Sequence, residues 1–350
     1  MQDVRQRFGR GLAGALLALM AACSRDPPPV RLSGPAMGTT YSVVVSALPP
    51  GVGRAAVEDA VAAVLSEADR CLSGWNEHSE LTRLNGSRST DWQPVSPALF
   101  ETVSQARAVS DASGGAFDIT VGPLVRAWGF GAGAAAEPAV PSAATIARLL
   151  GEVGYTRLEL RAEPQALRKT LPGLEIDVDG IAPGWAVDRV AGRFDEFGIQ
   201  DYLVELGGEV RARGTSPGGR PWRVAVETPL AGERRAQAVI ELDGTGVSTS
   251  GDYRDFREID GRRISHTIDP RTGLPVSHGL ASVTVVHASV AAADAWATAL
   301  MVLGPEEGLT LARREGLAAL FIVRAPGPGR FVESETPGFA RLRLPQPARL

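Results

Sequence analysis

The sequence predicts an α+β fold: largely antiparallel sheets with packed helices, forming one compact body of two intimately joined halves with a ligand cleft between. Three observations lead there. Short strand-like segments dominate beyond residue 150, interrupted by only two helical stretches and seldom at regular βαβ spacing. The 40 glycines and 25 prolines punctuate the 350-residue chain with turns, which suits a strand- and loop-rich body better than a helical bundle. No repeat with a period of about 20–50 residues is present, and no linker after residue 31 separates independent domains. At 44% hydrophobic and 22% charged residues, the composition is that of an ordinary globular protein. The net charge of −4, from 36 basic and 40 acidic residues, argues against nucleic acid as a partner, because such binding rests on phosphate neutralisation. Two cysteines, Cys23 and Cys71, are too few for a disulfide scaffold or a thiolate zinc site.

The elements follow in chain order. Arg5, Arg7 and Arg10 form a basic leader to the apolar run Gly11–Ala22, which is too short to span a bilayer as a helix. The run ends in Leu19-Met20-Ala21-Ala22-Cys23, which resembles a bacterial lipobox with an unusual Met20. Residues 1–22 are therefore expected to be a lipoprotein signal peptide, with Cys23 the lipidated residue. Residues 23–31, with Pro27-Pro28-Pro29, form a stiff tether. A plain secretory signal with an incidental Cys23 is the other reading. Met37–Ala47 alternates like a half-buried strand. Val57–Cys71 carries a helical apolar stripe through Val57, Val61, Val64 and Leu65, with Cys71 as a buried, inert thiol at its end. Pro97–Ser113 repeats the stripe and stops at Gly114-Gly115. Residues 132–141 read as a low-complexity surface insertion, and Ser142 as the N-cap of a helix to Leu150. Strands are expected at Arg157–Arg161, Tyr202–Leu206, Trp222–Glu227, Ala238–Leu242, Arg263–Ile268 and Ala281–His287, and helices at Ala182–Phe197 and Ala291–Leu303.

Several constellations carry chemistry. On the last helix Asp294 and Thr298 are four residues apart, so a carboxylate and a hydroxyl share one face, half of a site for a hard cation. The same pair also suits a plain surface face. Arg263–Pro275 brings His266, Asp269 and Arg271 together at a turn: a base, a carboxylate and an anion clamp, or a capped turn beside a core histidine. In Ser113–Gly131, Gly114-Gly115 allows close backbone approach, and Phe117 beside Asp118 suits a ring-bearing ligand. In Glu175–Asp188, Asp177 and Asp179 precede a glycine turn into a helix whose N-terminal amides attract anions. Val204–Val210 and Val247–Phe256 each run as a strand into a glycine turn.

Taken in order, M-G-T-T-Y, S-x-G-x-F-D-I-T-V-G-P-L, D-x-x-G-I-A-x-G-x-A-V-D, L-G-G-E, T-S-G-D-Y-R, S-H-T-I-D-P-R-T-G-L-P and A-D-A-W-A-T-A-L-M-V-L-G resemble the FAD:protein FMN transferase (ApbE-type) family from about Met37 to Val323. The resemblance implies that residues 32–350 form a Mg²⁺-dependent flavin transferase domain. Such an enzyme splits the pyrophosphate of FAD, transfers FMN to a threonine hydroxyl of an acceptor protein and releases AMP. The implied acceptor is a flavoprotein subunit of a membrane redox complex, met on the periplasmic side of a bacterial membrane, the inner one, where the lipid anchor holds the enzyme. The implied metal ligands are Asp294, Thr298 and the backbone carbonyl of Gly180. Implied flavin contacts are Met37, Trp75, Ala116, Phe117, Asp118, Asp177 and the backbone near Ile268. His266 and Asp294 are the expected catalytic residues, His266 as the base that takes the threonine proton. Two departures stand out: Pro183 replaces the family's usual lysine, removing a side-chain contact and a backbone donor, and Asp179 replaces a small residue. A FAD pyrophosphatase using water, and a lipid-anchored FAD-binding protein of weak activity, are the alternatives.

Overall fold

The structure, a computed structural model, describes residues 28–134, 140–230, 232, 235–253, 256–259, 262–327 and 329–345. The signal peptide, Cys23 and most of the tether lie outside the described residues, as do residues 135–139 of the expected insertion. Its backbone is an eight-stranded sheet: β1 (Val30–Ala36), β2 (Thr39–Val45), β3 (Tyr202–Leu206), β4 (Glu209–Arg213), β5 (Thr245–Gly251), β6 (Leu280–His287), β7 (Ala318–Arg324) and β8 (Phe331–Glu335). The eight strands lie in the sheet in the order in which they occur along the chain, and every pairing is antiparallel. The expected α+β class with antiparallel sheets is thus the observed one.

One expectation needs correction at the first strands. The tether ends before Val30, not after Arg31, because Val30 and Arg31 already pair with Val45 and Val44. The strand expected within Met37–Ala47 is present as Thr39–Val45; it is the second strand of a hairpin with Val30–Ala36, with Met37 (φ 49°) and Gly38 (φ 74°) at the turn.

Alternation along the strands sorts side chains to the two faces of the sheet. Val43, Val45, Val204, Leu206, Val283, Val285, Ala319 and Phe321 face a helical layer, while Val44, Val210, Ala212, Val247, Val286, Leu320 and Ile322 face a small second sheet. Covered on both faces, β6 is buried throughout except at its last residue. The helical layer comprises α1 (Arg54–Leu72), α2 (Glu80–Gly86), α3 (Pro97–Ser113), α4 (Gly122–Ala127), α5 (Ala143–Leu150), α6 (Ala182–Glu196) and α7 (Val290–Arg314), and the chain closes with α8 (Pro337–Ala340). Gly114 ends α3 in the left-handed conformation and Ser142 caps α5 by accepting the Thr145 N–H, both as expected. Cys71 is fully buried in this layer, and burial pushes its thiol pKa up, in keeping with an inert thiol. The only lysine of the chain, Lys169, is also buried; its Nζ donates to the carbonyls of Leu84, Asn85 and Ser87 and so satisfies the C-terminal end of α2. The helix expected to end at Leu303 continues, after a kink at Gly304 (φ 79°), from Pro305 to Arg314.

The second sheet pairs Arg220–Glu227 with Ala236–Leu242 and, at one end, with Thr215–Ser216. The strand expected at Arg263–Ile268 is split between a hairpin, Phe256–Ile259 with Arg262–Ser265, and a tighter one, Ile268–Asp269 with Leu274–Pro275. Between β4 and β5 the main sheet opens: their pairing ends at Val210↔Val247, so Ser248–Gly251 of β5 run on with no β4 partner. The cleft lies there.

Candidate active site

The cleft is a cavity of about 650 Å³, bordered by residues from the α3–α4 segment, the turn before α6, the β3–β4 turn, the free end of β5, the strand Arg220–Glu227, the Ile268 hairpin and α7. Of the residues singled out in the sequence, Trp75, Ala116, Phe117, Asp118, Asp177, Gly180, His266, Ile268, Asp294 and Thr298 all border it. Met37 does not. It sits in the β1–β2 turn, one step from the rim, where Thr39 lies against cavity-lining Gly207. Residues separated by more than 200 positions thus converge on one space.

At the inner end, α7 presents Asp294 and Thr298. Its first turn is held by Ser289, which accepts the Ala292 N–H, and by Asp188, whose Oδ2 accepts the Ser289 hydroxyl at 2.8 Å and the Ala291 N–H at 3.1 Å. Asp294 is only 6% exposed. Its Oδ1 accepts the Ser248 hydroxyl at 3.2 Å, while Oδ2 is buried and has no hydrogen-bond partner among the described residues. Burial first, then the Glu209 carboxylate, push the Asp294 pKa well above the usual range; Ser248 and the Gly184 amide pull it down. Thr298 Oγ1 lies 3.1 Å from Ser250 Oγ. A Cβ built on Gly180 would stand 3.4 Å from Thr298 Oγ1 and 3.4 Å from Phe117 Cε2, so the glycine lets the main chain come up to the hydroxyl. Asp294, Thr298 and Gly180 therefore meet.

This geometry passes a simple test for a hard cation. A buried carboxylate oxygen without a donor costs free energy unless something positive meets it. The neighbours offer oxygen: a hydroxyl and a main-chain segment with its carbonyl.

At the outer end, Trp75 is 67% exposed at the lip and Phe117 is buried at the wall, an aromatic pair suited to a planar ring system. Asp177 gives its N–H to Ile119 O at 2.6 Å and its Oδ1 accepts the Asp179 N–H. Burial pushes the Asp177 pKa up against that hydrogen bond. The Asp179 carboxyl is pushed up to about 7, by lost hydration first and the Asp177 carboxylate next. Its side chain remains exposed, so water screens part of that effect.

One expected role changes, that of Arg271, and the Asp118 carboxylate is engaged within its own loop. Both oxygens of Asp118 are engaged inside the loop: Oδ1 accepts the Thr120 N–H and hydroxyl at 2.7 and 2.6 Å, and Oδ2 the Tyr155 N–H at 2.8 Å. What residue 118 offers the cavity is main chain. Arg271 is no anion clamp here, because its guanidinium pairs with Asp269 and with Glu307, and it does not border the cavity. Asp269 is the capped-turn aspartate, accepting the Arg271 N–H, with its carbonyl taking the Thr272 and Gly273 amides. His266 borders the cavity, its ring edge-on to Phe130 at 6.3 Å. Pro183 takes an early position in α6, where a missing N–H costs nothing, and it does not border the cavity.

Residues 37–321 match the model of the ApbE family, most of the chain. The chain belongs to the ApbE family. Among the curated relatives of this ApbE-family chain, the FAD:protein FMN transferase of Escherichia coli K12 is 38% identical over 327 residues, covering 89% of this chain and 91% of the relative. That of Vibrio cholerae serotype O1 is 39% identical over 314 residues, covering 89% and 93%. Solved structures agree with the fold. The apo flavinyl transferase ApbE of Pseudomonas stutzeri superposes with a TM-score of 0.81 at 42% identity, covering 90% of this chain and 96% of that one. The flavin transferase ApbE of Vibrio cholerae gives 0.82 at 37% identity, covering 90% and 99%.

Sequence reasoning missed Ser248, Ser250, Glu209 and Gly184 as parts of the site. Ser250, Glu209 and Gly184 each stood in a motif quoted for the family likeness, T-S-G-D-Y-R, L-G-G-E and D-x-x-G-I-A-x-G-x-A-V-D, and Ser248 at an alternate position of the same strand as Ser250. What the motifs did not show is the role: a Cβ on Gly184 would meet the Ala291 backbone at 2.7 Å, a contact between helices far apart in the chain.

Proposed function

We propose that this chain is a Mg²⁺-dependent FAD:protein FMN transferase, which moves FMN from FAD to a threonine hydroxyl of an acceptor protein through a phosphoester bond and releases AMP. The observation that carries the reading is the orphaned, buried Oδ2 of Asp294 beside Thr298 and Gly180, in a cavity whose other end is lined by Trp75 and Phe117. The family membership and the names of the relatives support it.

Asp294, Thr298 and the Gly180 carbonyl would hold the cation, which when bound supplies charge neutralisation for the pyrophosphate. The remaining work falls to the protein, and it is positioning and proton handling. Trp75 and Phe117 hold the flavin ring at the outer end, and the main chain at Ala116–Asp118 offers hydrogen-bonding groups to its edge. The acceptor oxygen forms its bond to the FMN-side phosphorus as the bond to the AMP oxygen breaks. A ring nitrogen of His266 takes the hydroxyl proton. The departures at Pro183 and Asp179 leave these parts intact.

Cys23 is the lipidated residue in this reading. The anchor holds the enzyme on the periplasmic side of a bacterial membrane, the inner one, facing a flavoprotein subunit of a membrane redox complex. The basic leader, the short apolar run and the lipobox-like pattern support the lipid anchor.

The test is incubation with Mg²⁺, FAD and a threonine-bearing acceptor, read by mass spectrometry. Gain of the FMN mass by the acceptor, with AMP in solution, is expected. Free FMN and AMP with an unmodified acceptor would make the chain a pyrophosphatase, and FAD binding without AMP a carrier.

A further inference from the structure

The strand Arg220–Glu227 has one occupied side and one that is open. From Trp222 to Glu227 it pairs with Ala236–Leu242, and on its other side, among the described residues, only Arg220 and Pro221 pair, with Ser216 and Thr215. The far side of Ala236–Leu242 is closed by the C-terminal stretch: the Glu241 N–H donates to Leu342 O at 3.2 Å, and the Leu344 N–H to Val239 O at 2.8 Å.

Those two bonds fix which main-chain groups point where. In an antiparallel pair, residues opposite each other turn their N–H and C=O groups either both inward or both outward. Glu241 and Val239 turn theirs outward, to the C-terminal stretch. Their register partners Arg223 and Ala225 therefore turn theirs the other way, to the open side. Ala225 is exposed and borders the cavity, and among the described residues no strand pairs with it on that side. The stretch from Val224 to Glu227 borders the cavity residue by residue, although side chains of a strand alternate. The strand thus meets the cavity edge-on.

We propose that this edge, centred on Ala225, docks the acceptor protein by taking an extended segment of it as an added β-strand. The proposal rests on the reading that the FMN acceptor is a protein hydroxyl. Strand addition suits the chemistry: an open edge is a template for a further strand, and the methyl group of Ala225 leaves room for the roughly 4.8 Å approach that pairing needs. The β3–β4 turn, Gly207-Gly208, borders the cavity without side chains to obstruct the incoming segment. Asp294, Thr298 and His266 border the same cavity, so alternate side chains of an added strand point a hydroxyl into the space where phosphorus is transferred.

Two probes test this on the full chain. The first is Ala225→Pro. Proline is tolerated where a strand's N–H faces away from its partner, so the pairing with Ala236–Leu242 keeps its bonds while the outward donor is lost. The second is a fluorescein-labelled Ala/Ser/Thr dodecapeptide with one central threonine, together with its single N-methyl analogues, tested on the parent enzyme; this series needs no folded variant. Docking on the edge is expected to weaken peptide binding in Ala225→Pro by about tenfold, with FAD affinity unchanged. N-methylation is expected to weaken binding at every second residue only. Unchanged peptide affinity in Ala225→Pro, or N-methyl effects without an alternating pattern, overturns the proposal. So does an equal loss of FAD affinity, which would assign the edge to the nucleotide. Because peptide binding is read by anisotropy and FMN transfer by mass, a peptide that binds the edge but gains no FMN refutes the transferase reading and leaves the docking edge standing.

Discussion

Asp294 shows how far a residue's chemistry can be read from its neighbours in sequence. The four-residue spacing to Thr298 put both oxygens on one helical face. That Ser248 satisfies Oδ1 while Oδ2 has no hydrogen-bond partner among the described residues is visible only in three dimensions. Asp294→Ala is expected to abolish cation-dependent FMN transfer, and undiminished transfer would remove Asp294 from the metal site. Asp294→Asn keeps the shape but not the charge; without added cation it is expected to melt about 2–4 °C above the parent, because an uncompensated buried carboxylate is relieved. His266→Ala is expected to bind FAD but transfer slowly, by about 10²-fold or more for a lost general base. Parent-level turnover in the single-turnover assay would exclude that role. Asp118 marks the limit of such reading. Its residue type suited a flavin contact, yet whether its oxygens were already engaged by Thr120 and Tyr155 depended on a loop some 35 residues away.

At the level of elements, most helices were legible because period, cap and stop agreed. Pro97–Ser113 has Ser96 at its start and left-handed Gly114 at its end. The continuation of α7 was not legible: Gly304 with Pro305 reads as a stop, and the helix resumes only because the second half packs its buried Gly308, Leu311 and Ala312 inward. The crossing of α6 on α7 was equally invisible, although it sets where Asp294 stands. Gly184→Ala tests that crossing. In an ordinary helix the change gains about 1 kcal/mol. Here the added carbon would meet the Ala291 backbone at 2.7 Å, and overpacking of this kind costs about 1–3 kcal/mol. Net destabilisation in urea unfolding, together with weakened Mg²⁺-dependent transfer, is the expected outcome; a gain in stability would mean that the helices part freely.

Over the whole molecule, the main sheet brings carboxylates from three chain regions, Asp177 and Asp179, Glu209, and Asp294, to one cleft. The pKa values of Asp177, Asp179 and Asp294 are raised on folding, to about 7 for Asp179. A carboxyl that binds its proton more tightly when folded contributes stability that is fully present below its unfolded pKa and is lost as pH rises through the folded one. The unliganded protein is therefore expected to lose thermal stability between about pH 4 and pH 7 from these groups. Mg²⁺ should restore it by about 2.7 kcal/mol at a hundredfold excess over its dissociation constant, and most strongly at the upper end. Melting curves across pH with and without Mg²⁺ check this, and a cation effect that grows as pH falls would contradict it. The sequence by itself determined the fold class and most strand and helix types, because hydrophobic period, turn chemistry and residue type are local properties written along the chain; the family and the metal and flavin residues came from the likeness of its ordered motifs to a known family. Only the tertiary structure decided which carboxylate oxygen was left without a donor, that Arg271 turns to Asp269, that β4 stops short of β5, and that Ala225 offers its main chain to the cavity. The lone oxygen, the opening of the sheet and the free strand edge depend on how separate segments of the chain pack against one another, which no local pattern encodes; the turn of Arg271 onto Asp269, its neighbour two residues back, is local, but residue type alone left it open beside the anion-clamp reading.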